Sequence, residues 1–188
     1  MKDFLKLLVG FLPWIAFGVL AGPSLVQLEV AMAVSLALSV ILGYSQLKKG
    51  FILPWGTVLF FVSGLVLVLG LKNVWYMRHL GILSPASLAA ITWISLALGR
   101  PFVLDFAKES TPKELWDRPE FRASCYHLTI VWGILFICST LVSWAKYLHL
   151  GGPDWVYGTL SFATALFGMA YTEWFKKRKR REREVAQN

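Results

Sequence analysis

The stretch FILPWGTVLFFVSGLVLVLGL, residues 51–71, decides the fold, because it runs without one charged side chain for the length of a membrane span. A helix rises 1.5 Å per residue, so ~20 apolar residues cross the ~30 Å of hydrocarbon in a bilayer. The apolar residues here are consecutive rather than alternating, and an open sheet would leave its backbone polar groups unsatisfied in lipid. Working outward, comparable apolar runs lie at 4–21, 23–43, 80–99, 124–144 and 155–175. The expected fold is therefore an all-α integral membrane protein, a bundle of six transmembrane helices. One domain spans 1–175, and 176–188 form a basic cytoplasmic tail.

Composition supports the same class. Apolar residues make up 56% of the chain and charged residues 16%, too few charges to dress the surface of a soluble domain of 188 residues. Disordered, collagen-like and disulfide-scaffold chains are excluded by the same figures. Gly22-Pro23-Ser24 joins the first two runs as a tight helical hairpin, with Pro and Ser suited to start the second helix.

Lys and Arg fall on alternate sides of these spans very unevenly. With the N-terminus inside, sixteen lie on the inner side and only Lys72, Arg78 and Lys146 on the outer. Cytoplasmic loops carry such an excess, so both termini are expected in the cytoplasm. Lys2, Lys6 and Val19-Leu20-Ala21 before Gly22 mimic a signal peptide, but a retained first span completes the charge pattern.

Glu29 is the carboxylate set well inside a span, with Gln27 beside it. An intramembrane charge is costly and normally faces a bundle interior or wet cavity, so the pair is a candidate polar site. A Glu29 that snorkels or pairs with Arg78 or Lys146 is the ordinary alternative. His79, His127 and His149 are not placed at one depth, so neither a haem pair nor a three-histidine metal site is expected, and no cofactor. A cluster of Glu29, His79, His149 and Asp154 remains open as a metal or pH-sensing site. Cys125 and Cys138 sit 13 residues apart on one helix, too far to bridge. Trp14, Trp93 and Trp132 fall near mid-span and form a candidate apolar pocket, or pack against neighbouring helices. Gly64, Gly133 and Gly168 are among the small residues that let helices approach closely.

Lys176, Lys177, Arg178, Lys179, Arg180 and Arg181 follow directly on the last span. Basic residues there contact anionic lipid at about 1 kcal/mol each, and no specific nucleic-acid partner is implied. Between the fourth and fifth runs, Val103, Leu104, Phe106 and Ala107 can form one apolar face while Asp105, Lys108 and Glu109 stay wet. This predicts a short amphipathic helix on the cytoplasmic membrane surface. Thr111-Pro112-x-Glu114 then reads as a capped second start.

The segment carries a resemblance. Gly99-Arg100-Pro101-Phe102 after the fourth span, Trp116 in the polar stretch, and Leu128-Thr129-x-x-Trp132-Gly133-x-x-Phe136 opening the fifth are similar to the intracellular septation protein A family of bacterial inner-membrane proteins. Short basic connections near 44–50 and a Trp opening the third span look similar too. The resemblance implies a role in the cell envelope, through division and wall-synthesis partners or lipid homeostasis, without an established enzymatic activity. It marks Arg100, Pro101 and Trp116 as a candidate cytoplasmic motif. The expected function is thus a non-enzymatic envelope protein contacting membrane lipids and envelope membrane proteins, with homo-oligomers open. The alternative is a small-solute or ion transporter or channel using Glu29. A lipid-acting membrane enzyme would need a polar cluster at one depth.

Overall fold

The computed structural model describes residues 2–22, 24–150 and 153–186. Seven α-helices make up its framework: α1 (Lys2–Leu20), α2 (Leu25–Lys48), α3 (Ile52–Leu65), α4 (Val74–Ala97), α5 (Phe102–Lys108), α6 (Pro119–Tyr147) and α7 (Asp154–Ala186). A π-helical turn, Val66–Gly70, extends α3, and a single 3-10 turn, Lys113–Leu115, precedes α6. Every apolar run falls on one of the six long helices. Among the described residues four stretches, Leu25–Lys48, Ile52–Gly70, Val74–Ala97 and Pro119–Tyr147, are long and apolar enough to cross a membrane, and Val9–Leu20 is a shorter apolar helix. The surface fits that reading. Ile41, Leu59, Leu141 and Phe162 are among many large apolar side chains turned outward, an arrangement that lipid accommodates and water does not.

Local chemistry sets the turns. Ser24 caps α2, its hydroxyl accepting from the Gln27 N–H at 3.2 Å while the Gln27 side-chain oxygen accepts from the Ser24 N–H at 3.3 Å. A β-carbon at Gly22 would displace the Gln27 amide from this cap. Gly99, at φ +68°, ends α4 in the left-handed conformation that glycine adopts without strain.

The long helices alternate in direction, so α1, α3 and α6 start at one end of the bundle, where α2, α4 and α7 finish. We call this the closed end, and its opposite the open end. Aromatic rings bind the centre. Trp14 of α1 packs on Phe60 and Phe61 of α3, with ring centroids 4.8 and 5.2 Å away, and Phe11 stacks on Trp132 of α6 at 5.0 Å. Helices close up at small residues: a β-carbon at Gly133 of α6 would lie 3.2 Å from Thr92 and Trp93 of α4. At Gly168 of α7 it would lie 2.9 Å from Leu135 and Trp132. Helices α6 and α7 are also stitched by hydrogen bonds at three depths: His127 to Tyr171 at 2.8 Å, Trp132 to Thr172 at 3.2 Å and Ser139 to Thr164 at 2.8 Å.

The structure corrects two expectations about the segment between α4 and α6. Helix α5 does not lie on the surface with one apolar face, because Phe102, Val103, Leu104, Asp105 and Phe106 are all buried. It is wedged against α1, α3, α4 and α6 and closes that end of the bundle. Asp105 is accordingly not wet. Nor does Thr111 cap a second helix, since Pro112 starts the 3-10 turn without a side-chain cap. Helix α7 runs unbroken through the basic segment to Ala186.

Candidate functional site

A cleft of about 550 Å³ opens between α1, α4, α6 and α7. Its inner part is lined by Phe11, Trp14, Leu88, Trp132, Phe136 and Met169. Nearer the open end come Gly18 of α1, Gly81 of α4 and the small side chains Ser139, Ser143 and Ser161, with Lys146 the charged residue of the lining. Glycine and serine leave room where larger residues would fill it. A β-carbon built at Gly18 or Gly81 meets no atom within 4 Å. Pro85 lines the cleft as well, and lacking an N–H it offers none to the carbonyl of Gly81 one turn earlier.

The two tryptophans of the lining present apolar surface, since their polar groups are engaged elsewhere. The Trp14 indole N–H donates to Thr57 Oγ1 at 3.0 Å, and that of Trp132 to Thr172 Oγ1 at 3.2 Å. Both threonines in turn donate to backbone carbonyls of their own helices, at 2.8 Å to Leu53 and Gly168. Trp14 and Trp132 therefore belong to one apolar site, whereas Trp93 does not. It is 41% exposed and covers Gly133 on the outside of the α4–α6 contact.

Glu29 is half-buried near the start of α2 and does not line the cleft, which takes only Leu28 from that helix. Gln27 is occupied by the α2 cap. Among the described residues no three metal-binding side chains come together. His79 instead meets the Trp75 carbonyl at 2.7 Å and His149 the Lys146 carbonyl at 3.1 Å, and the side chain of Asp154 lies outside the described residues. Both cysteines are free, Cys125 buried and Cys138 exposed.

The closed end holds the second group of singled-out residues. Pro101 is fully buried and leads into α5, where the Phe102 N–H donates to Ser95 Oγ of α4 at 3.2 Å. Arg100 lies 3.9 Å from Asp105, whose Oδ2 accepts from the Ile52 N–H at 3.3 Å. Asp105 thus satisfies the first amide of α3 and sits at the positive end of its dipole. Burial pushes the carboxyl above its ordinary range, against the pull of that N–H and of the Arg100 and Lys108 charges. An ion pair of Lys49 with Glu109 ties the α2–α3 turn to the end of α5. Trp116 donates to the Thr111 carbonyl at 2.9 Å, lies under the Lys108 ammonium and packs beside Leu104, Phe121 and Cys125. The candidate motif residues Arg100, Pro101 and Trp116 all bear on α5, and the Arg100 side chain stays 60% exposed. Of the tail residues, Lys177, Arg178, Lys179 and Arg181 are exposed and Lys176 is half-buried, with Arg178 over the Trp174 ring. The side chain of Arg180 lies outside the described residues.

The sequence reading missed the serines of α6 and α7, the Gly18 and Gly81 gaps, and Lys146 as anything beyond one outer charge. Gly81 and Pro85, one helical turn apart within an apolar run, were the signal available. Fold and cleft define a class, a helical bundle with an apolar exterior and an apolar cleft. No protein-family model, no curated protein and no solved structure matches the chain.

Proposed function

We propose that the chain is a non-enzymatic multi-pass protein of the bacterial inner membrane, with six spans and both termini in the cytoplasm, that contacts lipid and serves the cell envelope. The observation that carries this reading is the cleft, an apolar aromatic-walled recess inside a bundle whose outer surface is itself apolar. The uneven distribution of Lys and Arg supports the orientation. It puts the closed end and the basic end of α7 at the anionic inner leaflet and the open end outside. Partners of the division or wall-synthesis machinery follow from the family resemblance. A transporter would route solute past Glu29, and nothing in the position of that residue favours the reading.

Photo-crosslinking in native membranes, together with deletion of the gene, tests the proposal. Capture of envelope membrane proteins and a change in cell shape or lipid composition are expected. Crosslinks that yield no envelope protein, with unchanged morphology and lipids, would overturn it.

A further inference from the structure

Among the described residues two buried side-chain oxygens find no hydrogen-bond partner in the chain, Ser35 Oγ and Gln46 Oε1, both on α2. The two differ in what they need. A serine hydroxyl can swing to a carbonyl of the preceding turn. An amide oxygen can only accept, and burying it without a donor costs the full desolvation of the group. Gln46 is 7% exposed, and its oxygen is out of reach of bulk water.

That side chain borders a second, much smaller space between α1, α2 and α3, which shares no lining residue with the cleft. Gln46 and Ser39 line it from α2, Val9 and Pro13 from α1, and Thr57 from α3. Pro13 interrupts the ladder of α1, since it has no N–H to give the Val9 carbonyl one turn earlier. A second acceptor short of a donor thus belongs to the lining. The hydroxyls nearby do not supply one. Ser39 donates to the Leu36 carbonyl and Thr57 to the Leu53 carbonyl, both at 2.8 Å.

The missing group must bring two protons in a small volume. The centre of a water molecule can move through about 10 Å³ of this space, which makes it a single hydration position. Water carries two O–H donors, one for each acceptor. A bare cation does not suit the lining, which holds no charged side chain, because hard cations take roughly six oxygens and usually a carboxylate among them. The exposed Lys48 and Lys49 follow Gln46 within one turn, so interfacial water is close at hand.

We propose that one water occupies this space, donating to Gln46 Oε1 and to the Val9 carbonyl, and so bridges α2 to the interrupted turn of α1. The site is independent of the envelope role and of whatever enters the cleft.

Water-edited solid-state NMR of the full chain in lipid bilayers tests it. Gln27 is exposed and gives a wet reference of the same chemical type. Magnetisation from water should reach the buried Gln46 amide at a rate within about threefold of that at Gln27. Val9-Gly10 is the one Val-Gly pair of the sequence, so labelling valine carbonyl carbon and glycine nitrogen isolates the Val9 carbonyl, where the same rate is expected. Gly43→Ala separates the site from the interface. A β-carbon there borders the space and meets Pro54 and Leu47 at ordinary distances of 3.8 and 3.9 Å, so it takes up room without a clash. It should slow transfer to Gln46 and Val9 at least about tenfold and leave the exposed Tyr44 and Lys48 unchanged. Slower transfer than expected at either group in the native chain, or transfer indifferent to Gly43→Ala, would overturn the proposal. So would rates that change when sodium chloride is replaced by choline chloride, because they would mark a cation in place of the water.

Discussion

At the closed end a seven-residue helix with five consecutive buried residues fills the space among α1, α3, α4 and α6, whereas at the open end four long helices part around a cleft of about 550 Å³. The same aromatic layer, Phe11, Trp14 and Trp132, forms the floor of one region and the roof of the other. What differs is the filling. At the closed end the chain supplies Phe102 and Phe106 from its own connection, with Phe106 against Phe51 at 5.4 Å. At the open end the connections are short and glycine and serine leave the volume unfilled. Proteins pack as densely as organic crystals, so a recess of this size inside an otherwise tight bundle is a built feature.

Substitution can break this contrast, and the largest effect belongs to the plug. Phe102→Ala, at a fully buried site, is expected to cost about 3–5 kcal/mol, read as a lowered unfolding midpoint in mixed micelles. An unchanged midpoint would mean that α5 is a loose cover. Asp105→Ala leaves the Ile52 N–H without its acceptor and should cost about 1–3 kcal/mol, while Asp105→Asn keeps an acceptor and should cost less.

Asp105 also gives the closed end a pH dependence. Its carboxyl is raised by burial, so the folded chain holds this proton more tightly than the unfolded chain. The associated stability is fully present below the ordinary carboxylate value of ~4 and is lost as pH rises through the higher folded value. Midpoints measured across that range should fall with pH in the native chain and flatten in Asp105→Asn. Lys49→Ala, which removes a partly exposed ion pair, should cost less than about 1 kcal/mol. Smallest of all, Gly18→Ala or Gly81→Ala should shift the midpoint by no more than about 0.5 kcal/mol, because the added β-carbon meets no atom within 4 Å. A large loss there would show that the cleft closes in the membrane.

Most of the helical layout was legible in the sequence, since an unbroken apolar run of span length has few other fates. Helix α6 starts earlier than its apolar run because Pro119 is a favourable first residue and the charged turn after it remains helical. The buried plug was misread because a single-face pattern over 103–107 accounts for α5 without reference to what lies above it. Yet between Phe102 and Ala107 only Asp105 is polar, and a helix apolar almost all round belongs inside. Trp14 and Trp132 could be singled out by depth, but depth gives no rotation about the helix axis, and Trp93 at similar depth faces out. The cleft was invisible for a deeper reason. Its walls come from four helices far apart in the chain, and no local pattern records which faces meet.

The π-helical turn at Val66–Gly70 takes up an extra residue at the end of α3. Its wide ring, closed by the Leu71 N–H donating to the Val66 carbonyl at 3.0 Å, stores one residue more than an α-helical turn of the same rise. The slack is taken up by Asn73, whose N–H reaches back to the Leu67 carbonyl at 2.9 Å while its side chain accepts from the Tyr76 N–H at 3.0 Å to start α4. Removing one residue from the turn would let it close as a regular α-helical turn with the faces before and after it still in phase. The wide ring is therefore a store of chain length at the end of α3, next to the point where Asn73 starts α4.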